Sequence, residues 1–130
     1  MRHLIRRLAS VGLGALAGLS LQAQAVTPEH FVVHNTQELV DVCSTAQSDP
    51  LYTAAIHFCH GYLVGAYHYQ EALYNGPGIK PVVCFADPKP TRNEGVAKFI
   101  QWANAHPEYA QDRAVESYSK FLAETWPCKN

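Results

Sequence analysis

The chain has 130 residues, with ten basic and eleven acidic side chains and seven histidines, so its formal net charge at pH 7 is −1. Hydrophobic residues make up 48% of the sequence, which is typical of a chain that folds around an apolar core. Nucleic acids and anionic lipids are bound through basic patches, so this balance of charge argues against both as partners.

The first 25 residues have the pattern of a secretory signal peptide. A basic start at residues 2–7 precedes an apolar run over residues 8–21 and an A-x-A cleavage sequence that ends at Ala25. The apolar run is shorter than the roughly 20 residues needed to span a bilayer. We therefore predict export, cleavage after Ala25 with no membrane attachment afterwards, and a single helical domain over residues 26–130. That domain keeps seven basic and eleven acidic residues, a formal charge of −4.

Two helices are predicted in the first half of the domain. Asn35 and Glu38 form a capping box that predicts a first helix over residues 36–46. A long second helix is predicted from Leu51 to Tyr74, where an Asn-Gly-Pro-Gly sequence ends it. On a helical wheel one side of this helix is apolar and is expected to face the core: Ala55, Phe58, Cys59, Tyr62, Ala66, Tyr69 and Leu73.

Residues 75–90 are rich in proline and glycine yet keep several apolar side chains. So many prolines and glycines exclude a helix, and the apolar residues argue against a free linker. We predict an ordered loop that is attached to the domain through Cys84.

Two further helices follow the loop. Thr91 and Glu94 form a second capping box at the start of helix three, and Pro107 ends that helix because it disfavours helical geometry at His106. Helix four has apolar residues every three or four positions and ends before Pro127. With no strong strand pattern in the sequence, the predicted fold is an all-α, small four-helix bundle.

The four cysteines are Cys43, Cys59, Cys84 and Cys128, and an even number in an exported chain of this size predicts two disulfides. The end of one helix lies beside the start of the next when antiparallel neighbours are joined by a short connection. This places Cys43 near Cys59, and Cys84 near Cys128. We predict those two pairs among the three pairings that are possible.

The sequence "FCHGYLVGAYHYQ" in helix two places histidines and glycines opposite the expected core side. Glycine in a helix interior costs about 1 kcal/mol relative to alanine, which indicates a close approach by another helix of the chain or by a second copy. The histidines of this helix do not suggest a metal site, because His57 and His68 are eleven residues, or about 16 Å, apart along it. We predict a dimer or packing face at His57, His60, Gly61, Gly65 and His68.

The sequence does not indicate an enzyme. Cysteines in disulfides are not available as nucleophiles, and Ser117 and Ser119 lie on a helix without a nucleophile elbow. His106 and Glu108 are close in sequence but fit a turn that ends a helix. We expect a binding protein that needs no cofactor.

The cysteines and the order of the helices resemble the type VI secretion amidase immunity family, the Rap/Tai group. The resemblance rests on Cys43 and on FCHGYLVG at 58–65, VCF at 83–85, WANAHPE at 102–108 and WPC at 126–128. It implies a helical periplasmic protein, typically a homodimer, that blocks a peptidoglycan amidase injected by neighbouring cells. Carried onto this chain, it implies partner contacts from the surface of helix three and the turn after it, at Gln101, Asn104, His106, Pro107 and Glu108. Residues 75–90 are the alternative candidate for the element that is inserted into the amidase.

Two other functions stay open at this point. Small size, export and seven histidines are compatible with a periplasmic chaperone active in acid stress. Metal buffering would require measurable zinc or copper affinity at His57 and His60.

Overall fold

The computed structural model describes residues 25–74 and 76–129, so the predicted signal peptide lies outside the described residues except for Ala25. Four α-helices make up the described fold: α1 Thr36–Cys43, α2 Tyr52–Tyr74, α3 Arg92–Ala105 and α4 Ala114–Thr125. Short 3-10 helices at Pro28–Phe31 and Pro107–Tyr109 precede α1 and α4. Each α-helix packs against the other three, which confirms the all-α four-helix bundle.

Both capping boxes are present and set where α1 and α3 begin. The Asn35 side chain accepts a hydrogen bond from the Glu38 N–H, and the Thr91 hydroxyl accepts one from the Glu94 N–H. The second glutamate in turn accepts from the Thr91 N–H at 2.7 Å. These bonds satisfy N–H groups that have no partner inside the helix.

The predicted end of α1 at residue 46 is wrong, since the helix ends at Cys43. Ser44 caps α1 in a non-helical conformation, and its N–H donates to the Val40 carbonyl. The Thr45 hydroxyl then donates to the Val42 carbonyl at 2.7 Å. The first bond is the last regular bond of the helix, and the second occupies a carbonyl that a further turn would use.

The core lies between α1, α3 and α4, with one side of α2 closing it. Its largest fully buried side chains are Phe99, Phe121, Leu39 and Leu122. The rings of Phe99 and Phe121 meet edge-on at 5.5 Å, a favourable aromatic geometry. A buried polar pair links the first and last helices, since the Thr36 hydroxyl donates to the Ser117 hydroxyl oxygen at 2.7 Å.

The predicted core side of α2 is only partly right. Ala55 and Cys59 are buried, as is Leu63, which flanks that side on the wheel, but Tyr69 is 67% exposed and Leu73 is 54% exposed. Helix α2 has 23 residues and α4 has 12, so the last turns of α2 lie beyond the reach of the shorter helices. There the neighbour is the loop after α2, which lies beside Tyr67, Gln70 and Tyr74 on another side of the helix, so Tyr69 and Leu73 remain exposed.

Both predicted disulfides are present, and each occupies the expected place. Cys43–Cys59 is buried and joins α1 to α2, while Cys84–Cys128 joins the loop after α2 to the residues after α4. Two backbone hydrogen bonds accompany the second disulfide: the Cys84 N–H donates to the Trp126 carbonyl and the Cys128 N–H to the Val82 carbonyl.

The described part of the loop after α2, residues 76–90, is attached to the domain through Cys84, as predicted. Its Phe85 ring lies 4.8 Å from the Trp126 ring and 5.1 Å from the Tyr67 ring, measured between centroids. Among the helices of residues 25–74 and 76–129, none is both long and apolar enough to cross a membrane.

The capping carboxylates give the fold a defined acid sensitivity. The pKa of the Glu94 carboxyl is held below its ordinary value of 4.5 by two hydrogen bonds from Thr91. The bond from the Thr91 backbone N–H has the larger effect, and the bond from the Thr91 hydroxyl has the smaller one. A carboxylate whose pKa is lowered by folding stabilises the folded state at every pH above its ordinary pKa. This stabilisation is lost as the pH falls below the ordinary pKa and through the lowered one.

We therefore expect Glu94→Gln to be less stable than the unsubstituted chain at neutral pH, and less stable by a smaller margin at about pH 3. Denaturant unfolding at both pH values measures this. Glu116→Gln, an exposed change in α4 outside any capping box, is the matched control and should show a smaller pH-dependent difference. Equal differences at both pH values for Glu94→Gln would contradict the expectation.

Candidate functional site

The turn after α3 carries the predicted partner-binding residues. Gln101 and Asn104 are exposed on the last turns of α3, His106 is the C-cap, and Pro107–Tyr109 form the 3-10 helix. Pro107 ends α3 as predicted, since the helix stops at Ala105 and the His106 backbone is non-helical. The structure thus brings five predicted residues to one end of the bundle: Gln101, Asn104, His106, Pro107 and Glu108.

An aromatic stack supports this turn. The Trp102 ring lies 4.7 Å from the His106 ring and 5.6 Å from the Tyr109 ring, nearly parallel to the latter with an interplanar angle of 9°. The Lys120 Nζ lies 4.0 Å from the centroid of the Tyr109 ring, a cation–π contact. The Trp102 indole N–H also donates to a Glu124 carboxylate oxygen at 2.8 Å. Side chains from α3 and α4 therefore fix the turn from both sides.

Sequence reasoning missed this stack. Trp102, His106 and Tyr109 are spaced four and three residues apart, a helical interval that continues across the proline. That spacing would have placed the three rings together. Lys120 belongs to another helix, and nothing in the sequence pairs it with Tyr109.

The polar groups of the turn form one side-chain hydrogen bond at its surface. The His106 Nδ1 lies 2.9 Å from a Glu108 carboxylate oxygen, and the two side chains are 36% and 56% exposed. This hydrogen bond is the main reason why the pKa of Glu108 is lowered. A carboxylate that is held ionised and a pair of exposed amides suit recognition by hydrogen bonding, and the turn holds no nucleophile.

The predicted face of α2 is divided by the structure. His57, Gly61, Gly65 and His68 are exposed, while His60 is half-buried. A side-chain Cβ added at Gly61 or Gly65 would meet no atom within 4 Å, so no helix of the same chain approaches these glycines closely. The intrachain explanation for the two glycines is therefore wrong, because α3 and α4 pack elsewhere on α2. His68 pairs instead with Glu71 at 3.3 Å on the same helix.

We expect Gly61→Ala and Gly65→Ala each to raise the free energy of unfolding of the isolated chain by about 0.5–1 kcal/mol, because alanine restricts the unfolded chain and nothing obstructs its Cβ. Chemical denaturation measures the change. Gly78→Ala is the contrasting variant: its φ of +82° disfavours a side chain, so it should lose about 1–2 kcal/mol. If Gly61→Ala and Gly65→Ala both lowered the free energy of unfolding, this would contradict the finding that a Cβ at these positions has open space around it.

Metal binding has no support in the geometry of the described part of the chain. No three histidine, cysteine or acidic side chains within it lie close enough to hold an ion. The cysteines that the structure describes are all in disulfides.

Comparison with known families identifies the kind of protein. A family model described as Rap1a immunity proteins matches residues 35–128, well over half of the chain. The chain belongs to the Rap1a immunity protein family. The matched segment begins at the Asn35 cap and ends at Cys128, so it contains all four helices and both disulfides.

Membership in the Rap1a immunity family indicates an immunity protein directed against a type VI effector. Such proteins are generally binding proteins and not enzymes. No curated protein and no solved structure matches the chain.

Proposed function

We propose that this Rap1a family member is a periplasmic immunity protein that binds and occludes a type VI secreted peptidoglycan amidase. The observation that carries the proposal is the family match over residues 35–128. Disulfides persist in oxidising compartments, so the two disulfides support export to the periplasm. The signal-peptide pattern that ends at Ala25 supports the same location.

The turn after α3 is proposed as the surface that enters the amidase cleft. Binding is weakened by the entropy lost when loops and side chains become ordered, and a preorganised loop avoids much of that cost. Here Pro107, the aromatic stack and the contact from Lys120 already restrict the turn. Gln101 and Asn104 stand beside it with exposed amides that can donate and accept hydrogen bonds. Inhibition by this route needs no chemistry from the immunity protein.

The exposed face of α2 is proposed as the homodimer contact. Gly61 and Gly65 lie one turn apart with open space above them, so the backbone of a second copy can approach closely. The contacts made by such an approach would compensate for the low helix propensity of glycine. Gly61→Leu would obstruct it and is expected to shift sedimentation from dimer to monomer.

A periplasmic protection assay tests the function. A peptidoglycan amidase effector exported into the periplasm of a test bacterium should lyse the cells, and co-expression of the full chain should prevent lysis. Deleting residues 1–25 should abolish protection because the chain would stay in the cytosol. Failure of the full chain to protect against any amidase effector would contradict the proposal.

The contact surface is tested in the same assay. Gln101→Arg combined with Asn104→Arg changes only exposed side chains and should remove protection. Asn93→Arg, an exposed change at the other end of α3, is the matched control and should leave protection intact. If the double variant protects as well as the control, the surface formed by the end of α3 and the turn after it is not the contact.

A further inference from the structure

A cavity of about 280 Å³ lies between α2, the loop after it, α3 and α4. It is separate from the turn after α3. Its floor is apolar and half aromatic, and four of the floor residues, Leu63, Val96, Tyr118 and Leu122, are buried core residues. Burial raises the pKa of Tyr118, so its hydroxyl is a neutral polar group. The floor consists of Leu63, Phe85, Val96, Tyr118, Leu122 and Trp126.

The rim of the cavity is positively charged. Lys89 and Arg92 line it together with His60 and His68, and no acidic residue is among the lining residues. Within the described residues, neither Lys89 nor Arg92 takes part in an ion pair. The Nε2 atom of His60 is shielded from solvent and has no hydrogen-bond partner in the described structure. A buried polar nitrogen without a partner is unusual and costs stability.

The size of the cavity restricts what fits. An engineered cavity of about 150 Å³ holds a benzene ring. A cavity of about 280 Å³ therefore has room for a ring together with a short chain that bears a charged group. Pockets for small molecules are mostly apolar with a few polar groups that orient the ligand, and this volume is near the lower end of their range.

We infer that this cavity binds a small aromatic carboxylate, with the ring on the Phe85 and Trp126 side and the carboxylate toward Arg92 and Lys89. The guanidinium group offers paired N–H donors that match a carboxylate, and the ammonium group adds a second positive charge. The ring would lie among aromatic side chains, where edge-on and offset contacts are favourable.

The two tryptophans provide the readout. Trp126 lines the cavity, whereas Trp102 lies in the aromatic stack at the turn and is not part of the lining. In an ¹⁵N-labelled, oxidised full chain each indole N–H gives its own NMR signal. Titration with 3-phenylpropionate should shift the Trp126 signal in a saturable way and leave the Trp102 signal in place.

Two further probes separate the ring from the charge. 3-Phenylpropionamide keeps the shape without the charge, and acetate keeps the charge without the ring. Both should bind at least about ten-fold more weakly than 3-phenylpropionate. The amide loses the charge-assisted hydrogen bond and acetate loses the burial of the ring, and each of these interactions contributes more than about 1.4 kcal/mol.

Charge variants complete the experiment. Lys89→Glu combined with Arg92→Glu alters exposed side chains, and an acidic residue in the first turn of α3 is compatible with the helix dipole, so the variant should fold. It should bind 3-phenylpropionate at least about ten-fold more weakly and bind the amide unchanged. Lys98→Glu, an exposed change on α3 outside the cavity, should bind both like the unsubstituted chain.

Several results would overturn the inference. They are the absence of a saturable Trp126 shift, equal affinity for the acid and the amide, or an equal loss in the Lys98→Glu control. Tighter binding of the peptide acetyl-Asp-Phe-Asp-amide than of 3-phenylpropionate would identify the cavity as a protein docking site instead. None of these results depends on whether the chain inhibits an amidase.

Discussion

Replacing Phe121 with alanine is expected to lower the free energy of unfolding by about 3–5 kcal/mol. Phe121 is 1% exposed, and its ring lies 5.4–6.0 Å from four other aromatic rings, those of Phe99, Tyr118, Trp102 and Trp126. Truncation removes the transfer energy of a benzyl group and leaves a cavity that rigid aromatic neighbours cannot fill. A small domain has only about 5–15 kcal/mol of stability, so this is a large fraction of the total.

Urea unfolding with both disulfides intact measures the effect of this substitution. Leu73→Ala is the control, because this large apolar residue is 54% exposed near the end of α2 and its truncation should change stability by no more than about 0.5 kcal/mol. Equal losses for the two variants would contradict the position of the core.

Removal of the Cys84–Cys128 disulfide is expected to cost about 4 kcal/mol. The two residues are 44 positions apart, and the chain-entropy model gives this value for a closed loop of that length. Cys84 is exposed and Cys128 half-buried, so replacing both with alanine removes little packing and isolates the effect of the cross-link. The same model gives about 3 kcal/mol for Cys43–Cys59, whose loop spans 16 positions, but there two buried sulfur atoms are lost as well.

Denaturant unfolding under oxidising and reducing conditions measures the contribution of each disulfide. The Cys84→Ala, Cys128→Ala double variant should be less stable than the unsubstituted chain when oxidised. Full reduction should bring the two proteins to similar stability, because the remaining disulfide is then open in both. A double variant that keeps the stability of the oxidised, unsubstituted chain would contradict a structural role for this disulfide.

Local signals in the sequence were sufficient for much of the fold. The capping boxes at Asn35 and Thr91 and the terminator at Pro107 act through bonds to nearby residues, so they predict helix ends without knowledge of the tertiary structure. The disulfide pairing followed from the order and direction of the helices. The early end of α1 was not predicted, because the side chain of Thr45 competes with the helix for a carbonyl.

Features that depend on distant residues were beyond the reach of sequence patterns. The exposure of Tyr69 and Leu73 follows from the unequal lengths of α2 and α4, which a helical wheel ignores. The contact between Lys120 and Tyr109 and the cavity with its positively charged rim bring together residues far apart in the chain. The turn at His106 was predictable as a turn, and the spacing of Trp102, His106 and Tyr109 also signals their stack, but the support from Lys120 is visible only in three dimensions.

Titration of a peptidoglycan amidase effector with the purified, oxidised chain is the most direct test of inhibition by occlusion. Amidase activity is expected to fall linearly with added chain and to reach zero at a fixed equivalence point that does not change with incubation time. The effector should regain its activity when the complex is dissociated. Absence of inhibition, or progressive inactivation by much less than one equivalent of the chain, would contradict an immunity protein that acts by binding alone.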